Sequence, residues 1–253
     1  MWITEYRDLI SILAISDLRV KYQSSVLGFA WSLVNPLLMM LVLYIVFSNV
    51  FHMSENQYAL YILIGIVSWR FLQNGSSAAM TSIVGKPGLV TKVYIPRQVL
   101  VLSSVLSGFV SSLLEFLVLI CLLIAFSVPI SFVVLLFPFV HLLFLFLLYG
   151  LSLSLASLYV YYRDLNQIWE VLLQAGFFLC PIVYPLSTIP EQYLPYYMLN
   201  PITDFIAIYR DIFLYGKLPS PVTIAIVVVS GIILYLIGRF LFGKLERRFA
   251  EEV

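Results

Sequence analysis

Two ionisable side chains, Arg70 and Glu115, lie deep inside long apolar stretches of the sequence. A charge at the centre of a lipid bilayer costs about 2.5–3.5 kcal/mol or more unless it is paired or hydrated. Counted from the same end of the two stretches, the side chains lie at similar depths. The sequence therefore predicts either an ion pair between Arg70 and Glu115 or a polar channel that both residues face.

No group of residues has the types and spacing of a catalytic or metal-binding motif. The sequence contains no HExxH, no clustered Cys and His, and no Ser/His/Asp set at a recognisable spacing. Each of the two histidines, His52 and His141, is expected to be an isolated packing or pore residue. The residues from Gly238 to Lys244 have P-loop spacing, but Leu245 stands where Ser or Thr would bind magnesium. We therefore expect no catalytic, cofactor-binding or metal-binding residue in this chain.

The composition is that of a membrane protein. Of the 253 residues, 62% are hydrophobic and 11% are charged, and the mean hydropathy is +1.03. A soluble domain carries roughly 25% charged residues. The net charge of +1 excludes a nucleic-acid footprint. Cys121 and Cys180 both lie in apolar runs and are expected to be small core residues rather than a disulfide.

The sequence predicts an all-α polytopic protein with six membrane-spanning helices, each close to the ~20 residues needed to cross a bilayer, or longer and tilted. The predicted spans are residues 29–51, 58–84, 98–126, 131–160, 166–184 and 221–243. Basic residues are concentrated on one side of these spans, which the positive-inside rule makes the cytoplasmic side. That side has Arg7, Arg19, Lys21, Lys86, Lys92, Arg97, Arg163, Arg239, Lys244, Arg247 and Arg248. The other side has Arg210 and Lys217, so both termini are predicted to be cytoplasmic.

Three segments outside the spans have patterns of their own. Residues 1–24 alternate apolar and charged side chains and predict an amphipathic helix in the cytoplasmic interface, followed by a transmembrane domain over 25–253. Residues 85–100 form a short basic connection with helix breaks at both ends, which predicts a short helix between the breaks. The last ten residues, KLERRFAEEV, are predicted to be a solvated cytoplasmic end.

The region before the last span, about residues 185–220, is rich in proline yet also rich in Tyr, Leu and Ile. Two short apolar-periodic segments, about 191–199 and 202–215, are separated by Asn200-Pro201. Such interrupted segments predict re-entrant helices on the outer side, whose backbone ends must be covered by protein or water. In the third span, small residues recur every four positions at Ser103, Ser107 and Ser111, which predicts close helix packing.

The stretch from Asp17 to Pro36 resembles the N-terminal membrane segment of polysaccharide-exporting ABC transporter permeases, the membrane subunits that export O-antigen, teichoic acid or capsule chains. That pattern is a basic-aromatic pair, a Ser, a Leu-Gly pair, an aromatic residue, a Trp and a Pro. It is matched by Lys21, Tyr22, Ser25, Leu27, Gly28, Phe29, Trp31 and Pro36. Later segments are similar to the same family at Leu89, Val90, Lys92, Pro96, Arg97, Arg163, Asp164, Asn200 and Pro201. The resemblance covers nearly the whole chain.

This resemblance implies the membrane-spanning channel subunit of an ATP-driven exporter, which moves lipid-linked polysaccharide across the bacterial cytoplasmic (inner) membrane. O-antigen or a similar polymer is the implied substrate, which would place the chain in lipopolysaccharide biosynthesis. The implied partners are a second copy of the chain, membrane lipid and two separate ATPase subunits that bind ATP and magnesium. Residues implied to couple to the ATPase are Arg19, Lys21, Tyr22, Lys86, Lys92, Pro96, Arg97, Arg163 and Asp164. An outer gate is implied around Tyr193, Tyr196, Tyr197, Asn200 and Pro201.

Aromatic residues make up 16% of the chain and could stack on the sugar rings of a sliding polymer. Together with Arg70 and Glu115, we expect Trp31, Trp69 and Tyr58 to be candidates for such a channel.

Three other functions are compatible with parts of the sequence. The first is a permease that exports drugs or small lipids. The second is a secondary transporter, which would predict internal repeats and intramembrane acid clusters. The third is a membrane-embedded glycosyl- or phosphotransferase, for which Asp204 and Asp211 could share a helix face, although on the outer side.

Overall fold

The computed structural model describes residues 5–23, 28, 30–49 and 57–253, and within these ranges all regular structure is helical. Part of the sequence pattern lies outside the described residues, namely Ser25, Leu27, Phe29, His52, the first four residues of the predicted interface helix and the side chain of Tyr22. The main helices are α1 Arg7–Tyr22, α2 Ala30–Asn49, α3 Tyr58–Thr81, α4 Pro87–Lys92, α5 Gln98–Ala125, α6 Phe137–Tyr161, α7 Leu165–Leu179, α8 Leu194–Tyr197, α9 Pro201–Arg210, α10 Pro221–Leu245 and α11 Phe249–Glu252. Short 3-10 turns cover Phe132–Leu136, Leu186–Thr188 and Glu246–Arg248, and a π-helical turn covers Asp211–Tyr215.

Four of the described helical segments are long and apolar enough to cross a membrane. They are α2, α5, α6 with its preceding turn, and α10 with the 3-10 turn and α11 that follow it. Helix α3 has 24 residues, but its second half contains the polar residues Gln73, Asn74, Ser76 and Ser77. Helix α7 has 15 residues, so its length of about 22 Å is less than the ~30 Å hydrocarbon core.

The predicted span 166–184 is longer than the helix that the structure has there, because α7 ends at Leu179. Cys180 is extended, with φ −87° and ψ 147°, as expected for a residue that precedes a proline. Pro181 and Pro185 then keep the intervening segment out of helical conformation. The carbonyl groups of this segment consequently need partners outside a helix.

Helix α3 is the central helix of the bundle. Seventeen of its 24 residues are buried, whereas in α2 only Ser32 and Pro36 are buried. Helix α5 packs closely on α3, and a Cβ atom added to Gly108 would lie 3.1 Å from the Cα of Gly75. This contact, together with the burial of Ser103, Ser107 and Ser111, agrees with the close packing predicted for α5.

Helices α6 and α10 cross at a pair of glycines. A Cβ atom added to Gly150 would lie 2.5 Å from the backbone nitrogen of Tyr235, and one added to Gly238 would collide with the carbonyl of Gly150. Gly238 is thus the close-approach residue of a helix crossing, and the stretch with P-loop spacing is continuous helix.

The prediction of a solvated C-terminal tail was wrong at Phe249, although most of the tail's charged side chains are exposed. Phe249 is fully buried in the core, and the hydroxyl of Tyr161 donates to the carbonyl oxygen of Leu245 at 2.9 Å. The tail turns back onto the bundle through a 3-10 turn, with Phe249 inward. A single apolar residue among charged neighbours has no periodicity, so the sequence pattern gave no sign of this fold-back.

Candidate functional site

Arg70 of α3 and Glu115 of α5 form an ion pair inside the bundle. The Nη2 and Nε atoms of Arg70 each lie 3.2 Å from Oε1 of Glu115. A third helix contributes through Asn35 of α2, whose Oδ1 accepts from Nη1 of Arg70 at 3.0 Å. The Glu115 side chain is 3% exposed and that of Arg70 is 19% exposed, so the acid is enclosed and the base reaches outward. The structure therefore has the ion-pair arrangement, the first of the two possibilities raised by the sequence.

The packing of α3 against α5 explains why these two residues meet. The two helices run antiparallel and touch at Gly75 and Gly108. Arg70 lies five residues before Gly75 and Glu115 lies seven residues after Gly108, so both lie on the same side of the contact. Similar depth in the membrane follows directly from this register.

The exposed side of Arg70 faces the mid-membrane cavity, a space of about 450 Å³ between α2, α3 and α7. Trp69 and Phe177 line it as well, with their rings edge to face and the centroids 6.2 Å apart. Tyr58, by contrast, is buried and donates its hydroxyl to the carbonyl of Val183. Trp31 is 49% exposed in the first turn of α2 and does not line this cavity.

A second space has a volume of about 770 Å³ and lies between α1, α3, α5 and α7; it is called the cytoplasmic cavity after the side on which the sequence predicts this end of the bundle to lie. Its lining shares Gln73 and Leu173 with the mid-membrane cavity, so the two adjoin. Asp17 of α1 lies in its wall and pairs with Lys86, whose Nζ is 2.7 Å from Oδ1. The hydroxyl of Ser104 donates to Oδ2 of the same carboxylate at 2.9 Å. Sequence reasoning missed Asp17, since an acid on an amphipathic helix is usually solvated.

The residues predicted to couple to an ATPase are found at the cytoplasmic end as the sequence orients the chain. Arg19, Lys21, Lys92, Arg163 and Asp164 are exposed there, while Lys86, Pro96 and Arg97 are half-buried. The predicted short helix between the two breaks is α4, which buries Val90 against the bundle. The structure brings these groups to one end of the bundle.

Two of these basic residues hold the C-terminal tail. Nη1 of Arg97 donates to the carbonyl oxygen of Glu246 at 3.2 Å, and Nη2 of Arg163 donates to that of Glu252 at 3.0 Å. The tail therefore connects the loop before α5 with the loop before α7.

On the outer side, the chain breaks at Asn200-Pro201 as the sequence predicts. Asn200 caps α9, with its Oδ1 accepting from the backbone N–H of Ile202 at 3.1 Å, and Pro201 takes the first helical position. The segment predicted over 191–199 is helical only in α8. The outer cavity, about 720 Å³, lies beside this segment and is lined by Tyr184, Thr188, Ile189, Pro190, Tyr193, Tyr196 and Tyr197.

Arg210 holds this outer segment onto α3, which the sequence did not predict. Its guanidinium donates to the carbonyl oxygens of Pro181 at 2.7 Å, Ile182 at 2.9 Å and Tyr61 at 3.3 Å. It also lies 3.4 Å above the ring of Tyr61. The sequence shows Arg210 only as a cation on the outer side, because the non-helical carbonyls that it binds become visible only when α7 is seen to end early.

His141 is a buried packing residue, as expected, but the expectation that it would be isolated was wrong. Its Nδ1 lies 2.8 Å from the hydroxyl of Tyr209 and its Nε2 lies 2.8 Å from Oγ of Ser112. Ser112 also donates to the carbonyl oxygen of Phe109, and a hydroxyl has only one proton to donate. All three bonds are satisfied when the imidazole is neutral with its proton on Nε2, so that Tyr209 donates to Nδ1. This directed chain connects α9, α6 and α5 through the core.

In the part of the chain that the structure describes, no three His, Cys, Asp or Glu side chains are grouped as ligands for a metal. Cys180 is buried, as expected of a core residue, but the expectation was wrong for Cys121, which is exposed on the outer face of α5; neither cysteine forms a disulfide. What the described geometry offers is three cavities with polar and aromatic walls, which suit the passage or binding of a molecule.

Comparison with known proteins identifies the kind of molecule to which this architecture belongs. A family model described as ABC-2 type transporter matches residues 8–214. The chain belongs to the ABC-2 type transporter family. As an ABC-2 permease it is a transport subunit rather than an enzyme, and in this family the ATPase is a separate subunit. Membership of this family excludes two of the functions considered from the sequence, the secondary transporter and the membrane-embedded transferase.

Several relatives match over almost their whole length. An O-antigen export system permease protein of Myxococcus xanthus is 30% identical over 251 residues, which are 98% of this chain and 96% of the relative. One from Klebsiella pneumoniae is 29% identical over 245 residues, 96% of this chain and 94% of the relative. A polysialic acid transport protein of Escherichia coli is 20% identical over 247 residues, 94% of this chain and 93% of the relative.

Proposed function

We propose that this ABC-2 permease is the membrane-spanning channel subunit of an ATP-driven exporter, which carries lipid-linked polysaccharide, O-antigen or a similar polymer, across the cytoplasmic membrane. The observation that carries the proposal is the similarity to O-antigen export permeases, which covers nearly all of this chain and nearly all of each relative. The polysialic acid transport protein is a more distant relative that also handles a polysaccharide by name.

In this proposal two copies of the chain enclose the channel and bind two ATPase subunits, which hold ATP and magnesium. Each copy crosses the bacterial inner membrane six times with both termini in the cytoplasm, and α3 and the short α7 complete the set of spans. A short, polar-faced span can be accommodated where it is covered by protein or faces a water-filled channel. The long exposed apolar face of α2 and the walls of the mid-membrane cavity support placing this side toward the second copy.

Coupling is proposed to run through the cytoplasmic elements. Exposed Lys92 on α4 and exposed Arg163 before α7 would touch the ATPase, together with the end of α1. Movement of α4 would reach the bundle through buried Val90 and the Asp17–Lys86 pair. At the other end, α8 and α9 would open the outer gate near Tyr193, Tyr196 and Tyr197, about residues 185–220.

The proposed function is tested by reconstituting the chain with its ATPase in liposomes that contain lipid-linked glycan from cells producing it. We expect glycan to become accessible to an added glycosidase on the opposite leaflet only when ATP is hydrolysed. A non-hydrolysable ATP analogue and liposomes without the permease are the controls.

Two outcomes would overturn the proposal. Stimulation of ATP hydrolysis and transport by apolar drugs or free lipids, with no response to lipid-linked glycan, would favour the drug or small-lipid exporter. Glycan movement driven by an ion gradient without ATP would remove the ATPase from the mechanism.

A further inference from the structure

The cytoplasmic cavity contains hydrogen-bonding groups that the protein itself leaves unused. Gln73 and Asn74 of α3 and Asn166 of α7 contribute side-chain amides to its wall. Among the residues that the structure describes, none of these three amides hydrogen-bonds to another protein group. Each amide offers two donors and one carbonyl acceptor, so the three together present a dense set of neutral partners.

The depth of Gln73 and Asn74 in α3 means that their amides do not face acyl chains, whereas Asn166 lies in the first turn of α7. Gln73 lies eight residues before the end of α3 at Thr81, which is about 12 Å along a helix at ~1.5 Å per residue. An amide within the hydrocarbon region is unfavourable unless water, protein or a ligand satisfies it. The wall of this cavity is therefore hydrated or occupied.

The ionic groups of the same wall balance one another. Lys21 and Lys86 contribute two positive charges and Asp17 and Glu170 two negative charges. Lys86 is already bound to Asp17 at 2.7 Å, and that carboxylate also accepts from Ser104. A phosphate bound at Lys86 would have to displace Asp17, and a phosphate anywhere in the cavity would share it with the two carboxylates. The wall thus favours a neutral ligand with many hydroxyl groups over an anion.

The neighbouring space supplies the complementary surface. The mid-membrane cavity adjoins through Gln73 and Leu173 and is lined by Trp69, Phe177 and Phe178. A polyhydroxyl molecule held by amides at one end of this path would meet aromatic faces at the other.

We propose that the cytoplasmic cavity is a binding subsite for uncharged sugar residues of the transported polymer, held by the amides of Gln73, Asn74 and Asn166 before they enter the mid-membrane cavity. The subsite recognises the glycan and not the phosphate of its lipid carrier. This inference rests on the proposed function, since the ligand is part of the exported polymer.

The test measures binding to the purified permease–ATPase complex in detergent by titration calorimetry. Two probes are used: glycan released from its lipid by mild acid, and a polyprenyl phosphate that bears no sugar. The variants are Asn74→Leu, Asn166→Leu and the triple change with Gln73→Leu. Gln167→Leu is the matched control, because Gln167 is an exposed amide next to Asn166 that does not line the cavity. Asn74→Gln tests rescue by a longer amide.

We expect each single Leu variant to lower affinity for the released glycan at least fivefold and the triple variant to abolish binding. Asn74→Gln and Gln167→Leu should stay within about twofold of the wild type, and polyprenyl phosphate binding should not change. Equal glycan affinity of the triple variant and the wild type would overturn the subsite. A wild type that binds polyprenyl phosphate but not the released glycan would overturn it as well.

Liposome transport separates failure of the subsite from failure of the proposed function. If the wild type exports lipid-linked glycan while the triple variant binds released glycan normally, only the subsite is wrong. If the wild type neither binds nor exports glycan, the proposed function and the subsite both fall.

Discussion

Arg70 is held by Glu115 and Asn35, so that one guanidinium connects α2, α3 and α5 at the edge of the mid-membrane cavity. The almost fully enclosed carboxylate of Glu115 depends on Arg70 for its charge partner, whereas Arg70 also donates a hydrogen bond to Asn35. Removal of one member of a buried ion pair leaves an uncompensated charge, which costs about 3–5 kcal/mol, whereas replacement of both members by apolar residues can be nearly neutral.

We therefore expect Arg70→Leu and Glu115→Leu each to lower the free energy of unfolding in detergent by about 3 kcal/mol. The double variant should recover most of this loss. The measurement is a double-mutant cycle of chemical denaturation, with Asn35→Ala as a milder change. Additive losses in the double variant would show that the two side chains do not depend on each other. A double variant that is stable but transports no glycan would assign the pair a further role in the channel.

Asp204 is a second buried charge, and it lies in α9 on the outer side. Its side chain is almost inaccessible, and Oδ2 makes no hydrogen bond to any part of the chain that the structure describes. Burial raises the pKa of Asp204 to about 6 from its ordinary value of 3.8. Because the folded protein holds this proton more tightly than the unfolded chain, stability decreases as the pH rises from about 3.8, the ordinary pKa, to about 6, and changes little above that.

We expect Asp204→Asn to raise the thermal midpoint by roughly 2–4 °C at pH 8 and by clearly less at pH 4, where the unfolded chain also holds much of this proton. Thermal unfolding in detergent at the two pH values checks this, and Asp164→Asn, at an exposed carboxylate, is the control. A gain of equal size at both pH values would mean that the carboxylate does not titrate in this range.

At the scale of helices, the crossing of α6 and α10 depends on the absence of side chains at Gly150 and Gly238. Gly243, five residues further along α10, has no atom within 4 Å of the position that a Cβ would occupy. Replacing glycine by alanine at Gly238 and at Gly243 therefore separates the effect of packing on stability from the effect of helix propensity. Alanine is better than glycine inside a helix by about 1 kcal/mol.

We expect Gly238→Ala to destabilise the protein by about 2 kcal/mol or more, within the usual range for overpacking, because the backbones must separate. Gly243→Ala should be neutral or stabilising by up to about 1 kcal/mol. Denaturation of the two purified variants side by side measures the difference. If Gly238→Ala were as stable as Gly243→Ala, the helices would not be in the close contact described.

The elements that could be predicted from the sequence are those whose pattern depends on local chemistry. Apolar length located α2, α5, α6 and α10, and proline with asparagine located the break before α9. The end of α7 at Leu179 was not predicted, because the apolar run continues through Cys180 and Ile182 although the helix does not.

The candidate site was predictable to a lesser degree, since it depends on which helices meet. Intramembrane charge alone identified Arg70 and Glu115, but the pairing of Asp17 with Lys86 joins residues 69 positions apart. Arg210 looked like an outer-side cation because its partners are backbone carbonyls, which have no sequence signal.

At the scale of the whole molecule, the C-terminal tail joins parts of the chain that are distant in sequence. Arg97 and Arg163 donate to its carbonyl groups, and Phe249 anchors it in the core beside Phe242, with the ring centroids 5.3 Å apart. Both arginines belong to the elements proposed to contact the ATPase. A tail bound to both loops would make them move together, so its anchor should affect coupling as well as stability.

We expect Phe249→Ala to lower the free energy of unfolding by about 3 kcal/mol, as large-to-small changes in cores do. Phe240→Ala, at a residue 68% exposed on the surface of α10, is the matched control and should change it by less than about 0.5 kcal/mol. In liposomes with the ATPase, Phe249→Ala should also reduce the glycan transported for each ATP hydrolysed, measured at a temperature where the variant remains folded. If stability falls but the glycan transported for each ATP hydrolysed is unchanged, the tail has only a structural role. In that case the two loops couple ATP hydrolysis to transport without being joined by the tail.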